Sequence, residues 1–422
     1  MPSPVELFDQ ILENLKVSNY QEIANRRDEI TKSLNGEYRA DPDSTDHRLM
    51  VGSYGRHTAI NGVSDLDLVY ILPSDLRNKY RSPEGPYRAL KRTKDAILRR
   101  YPTTDISVSQ LVVVVKFQNF TFEVQPVFQE KDGDFAYPDT KKKLWLRTKP
   151  RKEIEAIREF NTESSGSLRV LCRLTRSWKN KHDVHIGGLL IDTLAFNFLK
   201  QHEQYQSGNH YDHMFSDFLA WLSREPRKSH YLAPGSNQQV RVKQAFQRKA
   251  SAAHELALKA IGSEGTDSYA QRWRDLLGRP VPLSDDQKSR THDYIDSEQF
   301  IEDYYPQIIR YTLDIDCNVK DQDEVSWLSE LLRRHLRLSH EHKLLFKVTF
   351  CDVPAPFELK WKVLNHGEEA RKRDMIRGQI LDDDGTQSLQ ETSNFYGDHF
   401  VECYAIKDGN LVARAHISVP ID

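Results

Sequence analysis

A chain of 422 residues is too long for one ordinary hydrophobic core, so two domains are the natural expectation. Its 38% hydrophobic and 29% charged residues exclude a disordered chain, and its net charge of −2 excludes a domain built mainly to coat nucleic acid. No run approaches the roughly 20 apolar residues that cross a bilayer. The N-terminus lacks a secretory-signal pattern and the four cysteines stand singly, so we expect reduced thiols in a cytoplasmic protein.

The spacing of apolar residues predicts helices, then strands, then helices again in the first two thirds of the chain. The first 35 residues have helical spacing, and the chain from about 150 to 277 is predicted to be almost all helical. Short apolar runs between these regions predict strands over 66–72, 111–117 and 120–128, with a helix over 86–101. Strands on one side and helices on the other are typical of an α+β core with a helical second lobe.

The last third of the chain changes character. A polar segment predicts a linker over 283–295, between a first domain at 1–282 and a second at 296–422. One helix is predicted over 324–338. Alternating residues predict strands over 311–319, 344–350, 357–363, 375–381, 400–406 and 411–419, with a hairpin turn at 407–410. The second domain is therefore predicted to be β-rich and similar to a β-sandwich.

Two aspartates at the start of the strand 66–72 are the main chemical signal. Asp65 and Asp67 are two residues apart, so the period of a strand places both carboxylates on one face. That spacing suits a pair of metal ions about 3.5–4 Å apart, which polarise a phosphoryl group. A lone D-x-D is also typical of a surface turn. Gly52 and Ser53, whose backbone and hydroxyl can approach a triphosphate closely, favour the catalytic interpretation.

A two-metal site usually needs a third carboxylate from a neighbouring strand. Glu123 is the candidate, because it is the one acid in an apolar run where an unpaired charge is costly. The alternative is that Glu123 lies on an edge strand and faces water. In that case Asp105 would be the third ligand. Carboxylate oxygens together with substrate phosphates favour Mg²⁺, with Mn²⁺ as the alternative metal.

The segment 168–181 (LRVLCRLTRSWKNK) predicts an amphipathic helix with a cationic stripe. Arg169, Arg173 and Arg176 follow one another at i, i+4 and i+7, and apolar residues occupy the other face. Cations that face the carboxylates would hold the β- and γ-phosphates of a nucleotide. The simpler interpretation is a basic face exposed to solvent.

Together these motifs resemble a known family. The segment 52–67 (GSYGRHTAINGVSDLD) is similar to the signature of bacterial cyclic-oligonucleotide synthases, which are polymerase-β-like nucleotidyltransferases related to cyclic GMP-AMP synthase and oligoadenylate synthase. The helix end Ser177-Trp178-Lys179 resembles that family's phosphate-binding helix, and 269–282 resembles the end of its core. Segments between 361 and 404 resemble the adenylyl/guanylyl and SMODS sensor domain of anti-phage defence systems of the CBASS or Hailong kind.

The resemblance implies a template-independent nucleotidyltransferase that joins ATP, GTP or dATP into a cyclic or short linear oligonucleotide signal and releases pyrophosphate. It implies that the product controls a downstream effector such as a membrane channel, and it leaves a homo-oligomer open. The implied catalytic and metal-binding residues are Asp65, Asp67 and Glu123. The implied nucleotide-binding residues are Gly52, Ser53, Arg173, Arg176 and Lys179.

Three departures from the family pattern leave alternatives open. Glu123 stands where aspartate is commoner, Arg176 stands where lysine is usual, and Gly188-Leu189 replaces a Ser-Tyr pair that bonds phosphate and stacks on a base. The loss of that aromatic ring favours a linear product as much as a cyclic one, and Tyr396 in an apparent turn could then be the primer. A transferase acting on tRNA ends or antibiotics, or an inactive ligand-sensing protein, are the further alternatives.

Overall fold

The structure is a computed structural model that describes residues 3–117, 119–207, 210–282, 299–307, 309–321, 324–334, 336–339, 341–365, 377–394 and 396–421. The chain forms two compact units, Met1–Pro282 and Leu283–Asp422. The predicted linker 283–295 lies outside the described residues. Within those residues, no helix is both long and apolar enough to span a membrane.

The first unit is built on a mixed sheet. Its strands are β1 (Arg48–Met50), β2 (Asp65–Ile71), β3 (Asp105–Val108), β4 (Val113–Lys116), β5 (Thr121–Gln129), β6 (Phe135–Asp139) and β7 (Leu144–Thr148). The order is β1-β2-β5-β4-β3, with β6 and β7 added beside β5, and β2 runs parallel to β5. The strands predicted at 66–72, 111–117 and 120–128 are confirmed. The sequence prediction missed β3, β6 and β7, where prolines or charged residues interrupt the alternation.

Helices cover the sheet and form a second lobe of the same unit. Those near the sheet are α1 (Pro4–Asn14), α2 (Tyr20–Arg39), α3 (Gly52–Gly55) and α4 (Gly85–Arg100). The helical lobe comprises α5 (Pro150–Glu163), α6 (Ser167–Lys181), α7 (Gly188–Gln201), α8 (Tyr211–Arg224), α9 (Gln247–Ile261) and α10 (Tyr269–Leu277). A short hairpin of β8 (His230–Leu232) and β9 (Gln239–Arg241) interrupts the predicted helical region.

The period of two along β2 divides its residues between two environments. Leu66, Leu68 and Tyr70 are fully buried in the core that α2 and α4 share with the sheet. The alternate positions face the other side, where Asp65, Asp67 and Ile71 are only partly buried and Val69 is buried in a separate small cluster. The sheet therefore presents acidic side chains on the face that is not covered by α2 and α4.

The second unit contains two four-stranded antiparallel sheets that share one hydrophobic core. One sheet has the order β11-β10-β12-β15, from β10 (Leu313–Asp321), β11 (Glu324–Trp327), β12 (Lys343–Cys351) and β15 (Ser388–Thr392). The other has the order β14-β13-β16-β17, from β13 (Glu358–Leu364), β14 (Arg377–Asp382), β16 (Gly397–Lys407) and β17 (Asn410–Ile421). Two short helices, α11 (Ile301–Tyr304) and α12 (Leu328–Arg333), complete the unit. The predicted β-rich domain and its final hairpin are confirmed.

The predicted helix over 324–338 is wrong at both ends. Residues 324–327 form β11, where Val325 pairs with Lys320 and Trp327 pairs with Asn318 of β10. Among the described residues of this range, the helix is limited to Leu328–Arg333. Val325 on this strand is exposed. Ladder hydrogen bonds to a neighbouring strand outweigh a local helical pattern, which sequence spacing alone does not reveal.

Candidate functional site

Three carboxylates lie together on adjacent strands of the first unit. Asp67 of β2 is the register partner of Glu123 of β5, and Asp65 precedes Asp67 by two residues on the same face. Neighbouring strands lie about 4.7–4.9 Å apart, and the side chains of register partners point to the same side of a sheet. The structure therefore brings together the three acids predicted from the sequence. Asp105 lies on the edge strand β3, exposed and ion-paired with Lys116, so it is not the third carboxylate.

The surroundings of Asp67 are mainly acidic. Burial and the charges of Glu123 and Asp65 together raise the pKa of Asp67 to about 6, against the opposing effect of Arg56. A carboxylate with a raised pKa beside two further acids is a place where a bound cation would be stabilised. Among the described residues no three His, Cys or acidic side chains are already arranged as a metal cage. The hard oxygen donors nevertheless fit a divalent cation completed by substrate phosphates.

The turn that carries Gly52 and Ser53 contacts the carboxylates directly. Gly52 has a φ of +62°, and a Cβ at this position would lie 1.8 Å from Oδ2 of Asp67, so only glycine fits. The backbone N–H of Val51 donates to the Asp67 carbonyl at 2.9 Å. The carbonyl of Ser53 accepts the N–H groups of Thr58 at 2.9 Å and Ala59 at 3.1 Å. Residues 52–59, which we call the Gly-Ser turn, are thus joined by hydrogen bonds within the turn and pack against Asp67.

The predicted cationic stripe of α6 is not one exposed surface. Arg176 is 7% exposed, its Nη1 lies 2.7 Å from Oδ1 of Asp192, and its Nη2 donates to the Gly188 carbonyl at 3.0 Å. The guanidinium is therefore occupied by protein partners. We correct the interpretation of Arg176 as a phosphate ligand and assign it to a buried ionic cluster with Asp192.

Arg173 and Lys179 are partly buried cations with positively charged neighbours, as expected of residues that bind an anion. Arg173 donates from Nη2 to the His57 carbonyl at 3.2 Å, and burial together with the charge of Arg169 lowers its pKa. Burial lowers the pKa of Lys179, as do the positive charges of Arg176 and Lys243, against the opposing effect of Asp183 and Asp65. A phosphate would relieve the repulsion in both places.

Sequence reasoning missed a buried cluster that joins the Gly-Ser turn to the helical lobe. Asp192 of α7 is 0% exposed and accepts from Arg56 Nε at 2.8 Å and Thr58 Oγ1 at 3.0 Å, in addition to its ion pair with Arg176. The two arginines hold the pKa of Asp192 at about 2, against the effect of burial. One signal was available: Asp192 is the single acid in the otherwise apolar segment 188–199 (GLLIDTLAFNFL), where a charge needs a partner.

Tyr396 belongs to the second unit, immediately before β16. Its residue exposure is 59%, whereas Tyr404 of β16 is buried and its hydroxyl donates to Glu402 at 2.8 Å. The role of Tyr396 as a primer stays a prediction.

Comparisons with known proteins give the class of each unit. Residues 3–161 match the Second Messenger Oligonucleotide or Dinucleotide Synthetase domain, and residues 295–422 match the Adenylyl/Guanylyl and SMODS C-terminal sensor domain. A cyclic AMP-AMP-AMP synthase of Acinetobacter sp. is 24% identical over 268 residues, which is 58% of this chain and 75% of that protein. A cytidylate cyclase of Staphylococcus aureus is 32% identical over 110 residues, 26% of this chain and 24% of its own length.

Solved structures show the same fold. A mutant form of the di-nucleotide cyclase DncV of Vibrio cholerae aligns with a TM-score of 0.52 and 13% identity, over 65% of this chain and 94% of that one. CdnC of E. coli MS115-1, solved as a complex with HORMA-deltaN, aligns with a TM-score of 0.50 and 14% identity, over 65% of this chain and 96% of that one. By the family models, residues 3–161 belong to the Second Messenger Oligonucleotide or Dinucleotide Synthetase domain family, and residues 295–422 belong to the Adenylyl/Guanylyl and SMODS C-terminal sensor domain family.

Proposed function

We propose that this protein is a metal-dependent, template-independent nucleotidyltransferase that joins nucleoside triphosphates into a short oligonucleotide signal for anti-phage defence. The observation that carries the proposal is the register pair of Asp67 and Glu123, with Asp65 on the same face and Gly52 packed against Asp67. Mg²⁺, with Mn²⁺ as the alternative, would be held by these three acids. When bound, such ions neutralise charge on the phosphates and favour ionisation of an attacking hydroxyl.

The surrounding residues have distinct roles in this proposal. The Gly-Ser turn brings the backbone of Gly52 and the hydroxyl of Ser53 to the triphosphate. Lys179, within electrostatic reach of Asp65, and Arg173, beside His57, compensate the phosphate charges. The 3′- or 2′-hydroxyl of one nucleotide attacks the α-phosphorus of the next, the bond to the β-phosphate oxygen breaks, and pyrophosphate leaves. Asp65, Asp67 and Glu123 hold the reacting groups in line.

The names of two relatives support one product class. The synthase and the cyclase that resemble the chain are named for cyclic products, so a cyclic product is our first expectation. A downstream effector, for example a membrane channel, would respond to it. The experiment is to incubate the full-length protein with labelled ATP, GTP or dATP and Mg²⁺ and resolve the products by mass. We expect pyrophosphate and an oligonucleotide, both absent in excess EDTA. Substrate that stays intact in every mixture overturns the proposal and favours an inactive sensing protein.

A linear polymerase primed by Tyr396 is the second candidate function. It is favoured by the exposure of Tyr396 to solvent, which is 59%. Intact-mass spectrometry after incubation with each triphosphate should show nucleotide adducts that Tyr396→Phe eliminates. Tyr304→Phe is the matched control, because Tyr304 is 56% exposed in the same unit. Free cyclic product without an adduct, at an unchanged rate in Tyr396→Phe, excludes priming by this residue.

A further inference from the structure

A continuous path of contacts joins the helical lobe to the carboxylates. Asp192 of α7 accepts a hydrogen bond from Thr58 Oγ1 at 3.0 Å, and the backbone N–H of Thr58 donates to the Ser53 carbonyl at 2.9 Å. Ser53 follows Gly52, whose backbone lies directly against the Asp67 side chain. Arg56 joins the same turn to Asp192 by its Nε at 2.8 Å, and its own N–H donates to the Gly52 carbonyl at 3.2 Å.

The partners of Asp192 come from both sides of this junction. Arg56 and Thr58 belong to the Gly-Ser turn, whereas Arg176 lies on α6 and is 2.7 Å from the other carboxylate oxygen. All three charged side chains are buried, and α3 contacts α7. A buried carboxylate with two guanidinium partners has little freedom to move, because any displacement leaves charges unpaired in a low-dielectric interior. The turn is therefore fixed relative to α6 and α7 by one side chain.

We propose that Asp192 is a positioning residue that holds the Gly-Ser turn, and through it the nucleotide-binding backbone, at a fixed distance from Asp67. This role rests on the function proposed above, since it concerns the geometry of the same site. Asp192 is not itself a catalytic residue, because its oxygens are occupied by Arg56, Thr58 and Arg176. A displacement of about 1 Å between reacting groups costs roughly a hundredfold in rate, so loss of this constraint should lower kcat more than it raises KM.

Two variants distinguish the effect of positioning the Gly-Ser turn from the effect of the charges around Asp192. Thr58→Val removes one hydrogen bond to Asp192 and leaves every charge in place. The triple variant Arg56→Met, Asp192→Leu, Arg176→Met replaces the ionic cluster by apolar side chains, a change that often leaves a protein as stable or more stable. Asp212→Asn is the matched control, because Asp212 is a buried carboxylate of α8 in the same lobe, and among the described residues its ion-pair partner is His213 and not a residue of the turn.

The experiment compares hydrogen exchange of the peptide covering 52–60 with steady-state kinetics in the full-length protein. In Thr58→Val and the triple variant we expect the amides of Thr58 and Ala59 to exchange at least tenfold faster and kcat to fall about tenfold to a hundredfold, with KM changed less than threefold. Asp212→Asn should match the wild type. Unchanged exchange and kcat in Thr58→Val overturn the proposal, even if the triple variant fails to fold. Faster exchange in a protein whose wild type incorporates no nucleotide supports the positioning role and overturns the proposed function instead.

Discussion

Asp67 and Asp192 are both aspartates of the first unit, yet the side chains around them carry charges of opposite sign. Asp67 has Asp65 and Glu123 as neighbours, and its pKa is raised to about 6, first by burial and then by those charges. Asp192 is more deeply buried, yet Arg56 and Arg176 hold its pKa at about 2. Asp192, which we assign a structural role, has arginines that neutralise its charge. Asp67, which we assign to catalysis, has mainly acidic neighbours. The unneutralised charge is what prepares the first site for cations from solution.

The largest expected effect is on stability, which should fall when the Asp192 carboxylate is removed but not when the Asp67 carboxylate is removed. Asp192→Ala should lower the free energy of unfolding by about 3–5 kcal/mol, because Arg56 and Arg176 are left buried without their partner. Asp67→Asn should leave it unchanged or raise it in the absence of metal, since a mutually repelling charge is removed. Urea unfolding of both variants measures the difference. Equal destabilisation by the two substitutions contradicts the comparison.

A pair of glycines tests how closely the Gly-Ser turn must approach Asp67. Gly52→Ala should lower nucleotide incorporation about a hundredfold, because the added methyl would displace the Asp67 carboxylate. Gly62→Ala is the control: its φ of +78° carries the same backbone strain, yet no atom lies within 4 Å of the added Cβ. Both variants should lose roughly 1–2 kcal/mol of stability. An equal loss of activity in both would show that backbone strain, and not contact with Asp67, is responsible.

The pH dependence of stability should also distinguish the aspartates. A folded pKa of about 6 means that the folded protein retains a proton on Asp67 that the unfolded chain releases near pH 4. The contribution of Asp67 to stability is therefore lost as pH rises from about 4 to about 6. Relative to the wild type, Asp67→Asn should gain about 2 kcal/mol across that interval in metal-free buffer. The contribution of Asp192 has the opposite sign, is present above about pH 4 and is lost as pH falls toward 2. A pH-independent difference for Asp67→Asn contradicts this account.

Arg173 and Arg176 of α6 should respond differently to substitution, and Arg173 should give the smallest change in stability. Arg173→Ala should raise KM for the triphosphate and change the free energy of unfolding by less than about 0.5 kcal/mol, because the side chain has only one backbone hydrogen bond in the described structure. Arg176→Ala should instead destabilise the protein, because it leaves Asp192 short of a partner. Thermal melts and substrate titrations together measure both effects. A stability loss in Arg173→Ala with KM unchanged would assign Arg173 to the ionic cluster as well.

The strands that carry the three acids were predictable from the sequence because their signals are local. A period of two fixes the shared face of Asp65 and Asp67, and a lone acid in an apolar run identifies Glu123. The ionic cluster was not predicted, because Arg56 and Asp192 are 136 residues apart in the sequence and meet only when the helical lobe packs on the turn. For the same reason Arg176 was assigned to the same stripe as Arg173. Helical spacing shows that two side chains share a face, but not which of them a distant partner will cover.

The measurement that tests the central claim most directly is pyrophosphate release by carboxylate variants of the full-length protein with Mg²⁺ and each triphosphate. We expect Asp65→Asn, Asp67→Asn and Glu123→Gln to lower the rate at least roughly a thousandfold, since several kcal/mol of transition-state stabilisation depend on the metal ions they hold. Asp105→Asn, at an exposed acid of the edge strand β3, should release pyrophosphate at the wild-type rate. A wild-type rate in Asp67→Asn, or a rate that persists in excess EDTA, would contradict the account.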